Sequence, residues 1–89
     1  MCTYLTMQTD VAGSGLGAGG WFHVDRAVIY FDHPQDAPFE HALCVDLVTQ
    51  AATSPSQERV ALELDAASAR RLAETILAVL DSPEATELS

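Results

Sequence analysis

Trp21-Phe22-His23-Val24-Asp25-Arg26-Ala27-Val28-Ile29-Tyr30-Phe31 reads as one long β-strand, and its reading decides the fold. Aromatic and β-branched residues, which suit a pleated and half-buried surface, dominate it. Phe22, Val24, Val28 and Tyr30 share one face; Trp21, Ala27, Ile29 and Phe31 share the other. A strand apolar on both faces belongs inside a sheet that is covered on both sides. Asp25-Arg26 breaks the pattern where a bulge would re-aim the strand.

Upstream, residues 3–11 alternate. Leu5, Met7 and Val11 point one way, and Tyr4, Thr6, Gln8 and Asp10 the other, as in a strand with one wetter face. Between these strands, Gly13-Ser14-Gly15-Leu16-Gly17-Ala18-Gly19-Gly20 holds all five glycines, a composition that predicts a flexible connector. Gly15 to Gly20 also matches G-x-G-x-x-G. A dinucleotide fingerprint needs a helix after the glycines, within a parallel βαβ unit. A strand follows here, which leaves a hairpin connector or a loop that folds over a ligand.

Downstream, residues 32–40 form a hairpin loop punctuated by Pro34 and Pro38. Residues 41–49 form a third strand, with Leu43, Val45 and Leu47 on one face and Ala42, Cys44, Asp46 and Val48 opposite. A turn at residues 53–57 leads to a fourth strand, 58–64, with Val60, Leu62 and Leu64 inward and Arg59, Ala61 and Glu63 outward. Asp65 is a good N-cap for a helix from Ala66 to Leu80. Leu72, Ile76, Val79 and Leu80, flanked by Ala69 and Leu77, give that helix an apolar stripe suited to a sheet. The expected architecture is α+β: a four-stranded antiparallel meander, ββββα, with the C-terminal helix packed on one face. Residues 1–81 form the single domain and residues 82–89 a flexible acidic tail.

The chain has 89 residues, enough for one small domain with a thin core. Its net charge is −9, and its cations are Arg26, Arg59, Arg70 and Arg71, with no lysine. No basic patch can neutralise phosphates, which argues against nucleic acid and against anionic membrane surfaces. No signal peptide and no membrane-spanning apolar stretch is visible, so the expected location is the cytoplasm, with Cys2 and Cys44 reduced. Cys44 reads as a small core side chain. One helix cannot cover both faces of the sheet. The uncovered face, with Trp21, Ile29 and Phe31 on it, calls for a second copy of the chain, so a homodimer is expected.

The candidate site is Asp32-His33-Pro34-Gln35-Asp36-Ala37-Pro38-Phe39-Glu40-His41. With Val11 pairing near Trp21, strand order gathers Cys2, Asp32, His33, Glu40, His41 and Asp65 at one end of the sheet. Cys2, His33 and His41 form a zinc-type ligand set, for zinc or another transition metal. Without a metal, His33 or His41 would serve as a base, oriented by Asp32 or Glu40. Loss of Met1 would make Cys2 an N-terminal amine and thiol. A plain loop competes with both readings, Asp32 capping the turn and Asp36 and the prolines setting its shape. His23 lies nine residues from Asp32, too far to join the group, but could touch a ligand under the glycine segment. Tyr4, Trp21 and Tyr30 would line a pocket or a subunit interface. The functional expectation is a small-molecule binding protein or cofactor-poor enzyme; the alternatives are a non-catalytic interaction module and a metal-binding protein.

Met1-Cys2-Thr3-Tyr4-Leu5, the glycine segment running into Gly20-Trp21-Phe22, and Asp32-His33-Pro34 followed by Glu40-His41 resemble a family of short actinobacterial proteins of unknown function. The resemblance spans nearly the whole chain and implies no catalytic residues.

Overall fold

The structure, a computed structural model, describes residues 5–49 and 58–88. Strands β1 (Leu5–Gly17), β2 (Gly20–Asp32), β3 (Ala42–Val48) and β4 (Arg59–Leu64) form one antiparallel sheet in the order β1-β2-β3-β4. Helices α1 (Ala66–Leu80) and α2 (Pro83–Leu88) follow. The element order is the α+β meander expected from the sequence. Neither helix is long and apolar enough to cross a membrane.

Register sorts the side chains by chemistry. Leu5, Phe31, Leu43 and Leu64 form one cross-strand row; Met7, Ile29, Val45 and Leu62 form the next; Thr9, Ala27, Leu47 and Val60 the third. Successive strand residues point to opposite faces, so these rows make one apolar face without a single charge. The intervening rows are Thr6-Tyr30-Cys44-Glu63, Gln8-Val28-Asp46-Ala61 and Asp10-Arg26-Val48-Arg59, and they make a polar face. On it Arg26 bonds Gln8 and pairs with Asp10 at 3.4 Å.

The glycine segment corrects two sequence expectations. It is no flexible connector: β1 runs on to Gly17, and Ala18-Gly19 alone makes the turn. Nor does Val11 pair near Trp21. The register shifts between Asp10 and Gly13, so that Val11 and Ala12 oppose Asp25, and Trp21 faces Leu16. The glycines serve close approach. A Cβ on Gly15 would meet Val24 at 3.1 Å and Val60 at 3.2 Å, and one on Gly17 or Gly19 would displace the flexible carboxylate end of Glu58. The hairpin tip thus closes over the start of β4, and β1 touches β4. Gly20 holds φ +114°, a backbone state that side chains rarely adopt.

Among the described residues, Val24, Ala27, Ala42 and Cys44 are buried. Helix α1 starts where expected: the Asp65 carboxylate accepts from the Ser68 N–H at 2.7 Å. The cover expected of it differs. It meets the sheet at β3, no α1 residue is buried, and Leu72, Ile76, Leu77, Val79 and Leu80 are exposed. The joint explains this. Asp65 alone separates β4 from α1 and is spent as the cap, whereas helices folded back on a sheet usually follow loops of two to six residues. Where the sequence suggested a loose tail, Pro83 begins α2, with the Ser82 hydroxyl accepting from the Ala85 N–H at 3.3 Å.

Substituting alanine at Gly15 should destabilise the fold by about 1–3 kcal/mol through crowding against Val24 and Val60. Alanine at Gly20 should cost about 1–2 kcal/mol through backbone strain. Alanine at Gly13, where nothing lies within 4 Å, should stay within about 0.5 kcal/mol of the parent in urea unfolding.

Candidate functional site

Ala42 opposes Asp32 in the β2–β3 ladder, so one step further out His33 and His41 face each other across the hairpin mouth. Their rings stack with centroids 4.8 Å apart and planes at 28°. His41 also stacks on Phe31 at 6.0 Å, continuing the apolar side of the sheet. His33 Nδ1 lies 2.9 Å from the Glu40 carbonyl oxygen. A carbonyl only accepts, so Nδ1 carries the hydrogen and the neutral ring keeps its lone pair on Nε2. His33 is exposed and His41 half-buried.

Backbone groups take part around these histidines and their expected partners. Asp32 accepts from the His33 backbone N–H at 2.7 Å and so closes the turn. What Glu40 brings to His33 is its backbone carbonyl. Asp65 is the helix cap; the Ser68 N–H, and after it the Ser68 hydroxyl, hold its carboxyl below the usual range. Cys2 and Tyr4 lie outside the described residues. Among the described residues, no three His, Cys, Asp or Glu side chains are placed to hold one metal ion. The Cys44 thiol is buried, and burial, then Glu63, Asp32 and Asp46, push its pKa up, which suits a core side chain better than a ligand or nucleophile.

His23 sits near the far end of β2, paired with Ser14. Its ring is 4.0 Å from Asp25, and its backbone carbonyl accepts from the Thr49 hydroxyl. Trp21, beside the hairpin turn, is 71% exposed. Tyr30 faces the polar side near the opposite end of the same strand, so Trp21, His23 and Tyr30 share no common pocket.

Sequence reasoning missed what Tyr30 does face. The loop after His33 crosses the end of the sheet and lies over its polar face. There the Glu63 carboxylate accepts from three successive backbone N–H groups: Gln35 at 2.6 Å, Asp36 at 3.1 Å and Ala37 at 2.9 Å. These bonds, Gln35 foremost and then Ala37, hold the Glu63 carboxyl below its ordinary pKa. Beneath the loop opens a groove of about 400 Å³, lined by Tyr30, Gln35, Asp36, Asp46, Arg59 and Glu63 among others. The Tyr30 hydroxyl donates to Asp46 at 3.3 Å, and Arg59 reaches the same oxygen at 3.7 Å. Burial, and next the Asp46 charge, push the Tyr30 phenol up, so it stays a neutral donor at physiological pH. One signal of this site was present in the sequence: Asp46 interrupts an otherwise apolar strand.

Three carboxylates around one guanidinium leave the groove net negative. It can seat a compact cation with several N–H donors: Asp46 would receive the charge, and the Tyr30 oxygen would accept. A family model described as Family of unknown function (DUF6295) matches residues 1–89. No curated protein and no solved structure matches the chain.

The lowered Glu63 pKa has a definite sign. Its bonds to the loop favour the folded, ionised form, so their contribution is present above the unfolded pKa and is lost as pH falls through the depressed folded value. The amide resonances of Gln35, Asp36 and Ala37 should therefore titrate together, with a midpoint below the ordinary glutamate range. Glu63→Gln should abolish that shared titration and speed hydrogen exchange at the three amides.

Proposed function

The chain belongs to this family of unknown function across residues 1–89, and from its geometry we propose that it binds a small, positively charged, donor-rich molecule in the groove on the polar sheet face. The observation that carries this reading is the Glu63 clamp. Three backbone N–H groups on one carboxylate hold the loop in position before any ligand arrives, and a preformed wall lowers the ordering cost of binding. Asp46 is the recognition group. Arg59 orients it, and Tyr30 supplies a neutral hydroxyl beside it.

The stacked His33 and His41 rings do not line this groove; they continue the Phe31 side of the sheet and take no part in the proposed binding. The free, buried thiol of Cys44 suits a reducing compartment, and the cytoplasm is the location we propose. The interaction-module reading also has an observation in its favour, the bare apolar stripe of α1.

Thermal-shift and NMR titrations with putrescine and agmatine, against acetate and inorganic phosphate, test the groove. The amine and the guanidine should raise the melting temperature and move the Tyr30 and Asp46 resonances, and the anions should do neither. Asp46→Asn should weaken binding about tenfold to a hundredfold, the range for losing a hydrogen bond to a charged group. A response to the anions alone, or binding that Asp46→Asn leaves intact, would overturn the proposal.

A further inference from the structure

The chain carries two large apolar surfaces that do not cover each other. One is the open part of the apolar sheet face. Leu5 and Met7 are 63% and 64% exposed, and with Ile29, Phe31 and Leu43 they border an apolar groove of about 270 Å³. The other is the α1 stripe, where Leu72, Ile76, Val79 and Leu80 are 43–60% exposed. Neither surface bears a charge; Arg70, Arg71 and Glu74 lie on the opposite side of α1.

Helix α1 does not hold itself together. A 15-residue helix is marginal in water without a packed face. Asp65 at the cap is the one charge that complements its dipole: no further acidic residue occupies the first turn and no basic residue the last.

We propose that each α1 docks its stripe on the open apolar sheet face of a second copy, the two chains exchanging helices about a twofold axis. A twofold contact is self-complementary, so one symmetric event covers both exposed surfaces on both chains. The dimensions agree: α1 is about 22 Å long and four strands span about 19 Å. The one-residue joint at Asp65 lets the helix touch its own sheet only at β3 and leaves its apolar stripe available to another. Because both contact surfaces are uncharged, the net charge of −9 per chain stays outside the interface. The proposal does not depend on what the polar groove binds.

The test is made on the unmodified chain. Light scattering across a dilution series should give twice the 9.5 kDa chain mass; a single-chain mass overturns the proposal, whatever else the stripe then binds. In a mixed sample of labelled and unlabelled chains, isotope-filtered NOEs should connect Leu72, Ile76 and Leu80 methyl groups of one chain with Met7, Ile29 and Leu62 of the other. A dimer lacking those contacts overturns it, as does finding them within one chain only. Ile76→Asp should weaken dimerisation at least tenfold and reduce the helical circular-dichroism signal; an unchanged dimer overturns the proposal.

Discussion

Phe31 faces Leu5 on one side and Leu43 on the other, and Leu43 in turn faces Leu64. The row is repeated two residues along by Met7, Ile29, Val45 and Leu62. The rest of the molecule depends on this register. A slip of one residue between any two strands would mix the apolar rows with Tyr30, Asp46 and Glu63 and destroy both faces at once. The bulge opposite Asp25 protects the register from the tip of the long hairpin. It absorbs the extra residue of β1, so that Gly15 and Gly17 can curl over β4 while Leu5 and Met7 stay in line.

The same register makes the chain an incomplete object. It concentrates apolar surface on one side of the sheet, and the amphipathic helix leaves β4 through a single residue. A thin core of Val24, Ala27, Ala42 and Cys44, with so much apolar surface still in water, is poor compensation for the conformational entropy lost on folding. In the proposed helix-exchanged dimer, self-association and folding would be coupled. The polar face has its own economy: Glu63 is spent on fixing the loop, which leaves Asp46, Tyr30 and Arg59 as the chemistry open to a ligand.

Much of this was legible residue by residue. Alternation in β3 and β4 assigned Leu43, Val45, Leu47, Val60, Leu62 and Leu64 to one face, and the Asp65 cap marked the start of α1. The meeting of His33 and His41 also followed from strand order. The glycine segment misled because composition reports what a backbone is free to do. It does not report that Val24 and Val60 crowd Gly15, or that the Glu58 carboxylate lies against Gly17 and Gly19. At the hairpin mouth, the part played by backbone groups was equally illegible: the Glu40 carbonyl contacts the His33 ring, and the His33 N–H donates to Asp32.

By itself, the sequence determined the order of elements, the alternation along each strand and the amphipathic helix, because each rests on a local period of two or 3.6 residues. Only the tertiary structure decided what those surfaces meet. The union of Glu63 with residues 35–37 joins groups more than 25 positions apart, and no local pattern encodes it. The exposure of α1 is likewise a matter of where a one-residue joint aims a helix, a geometric fact that periodicity cannot carry.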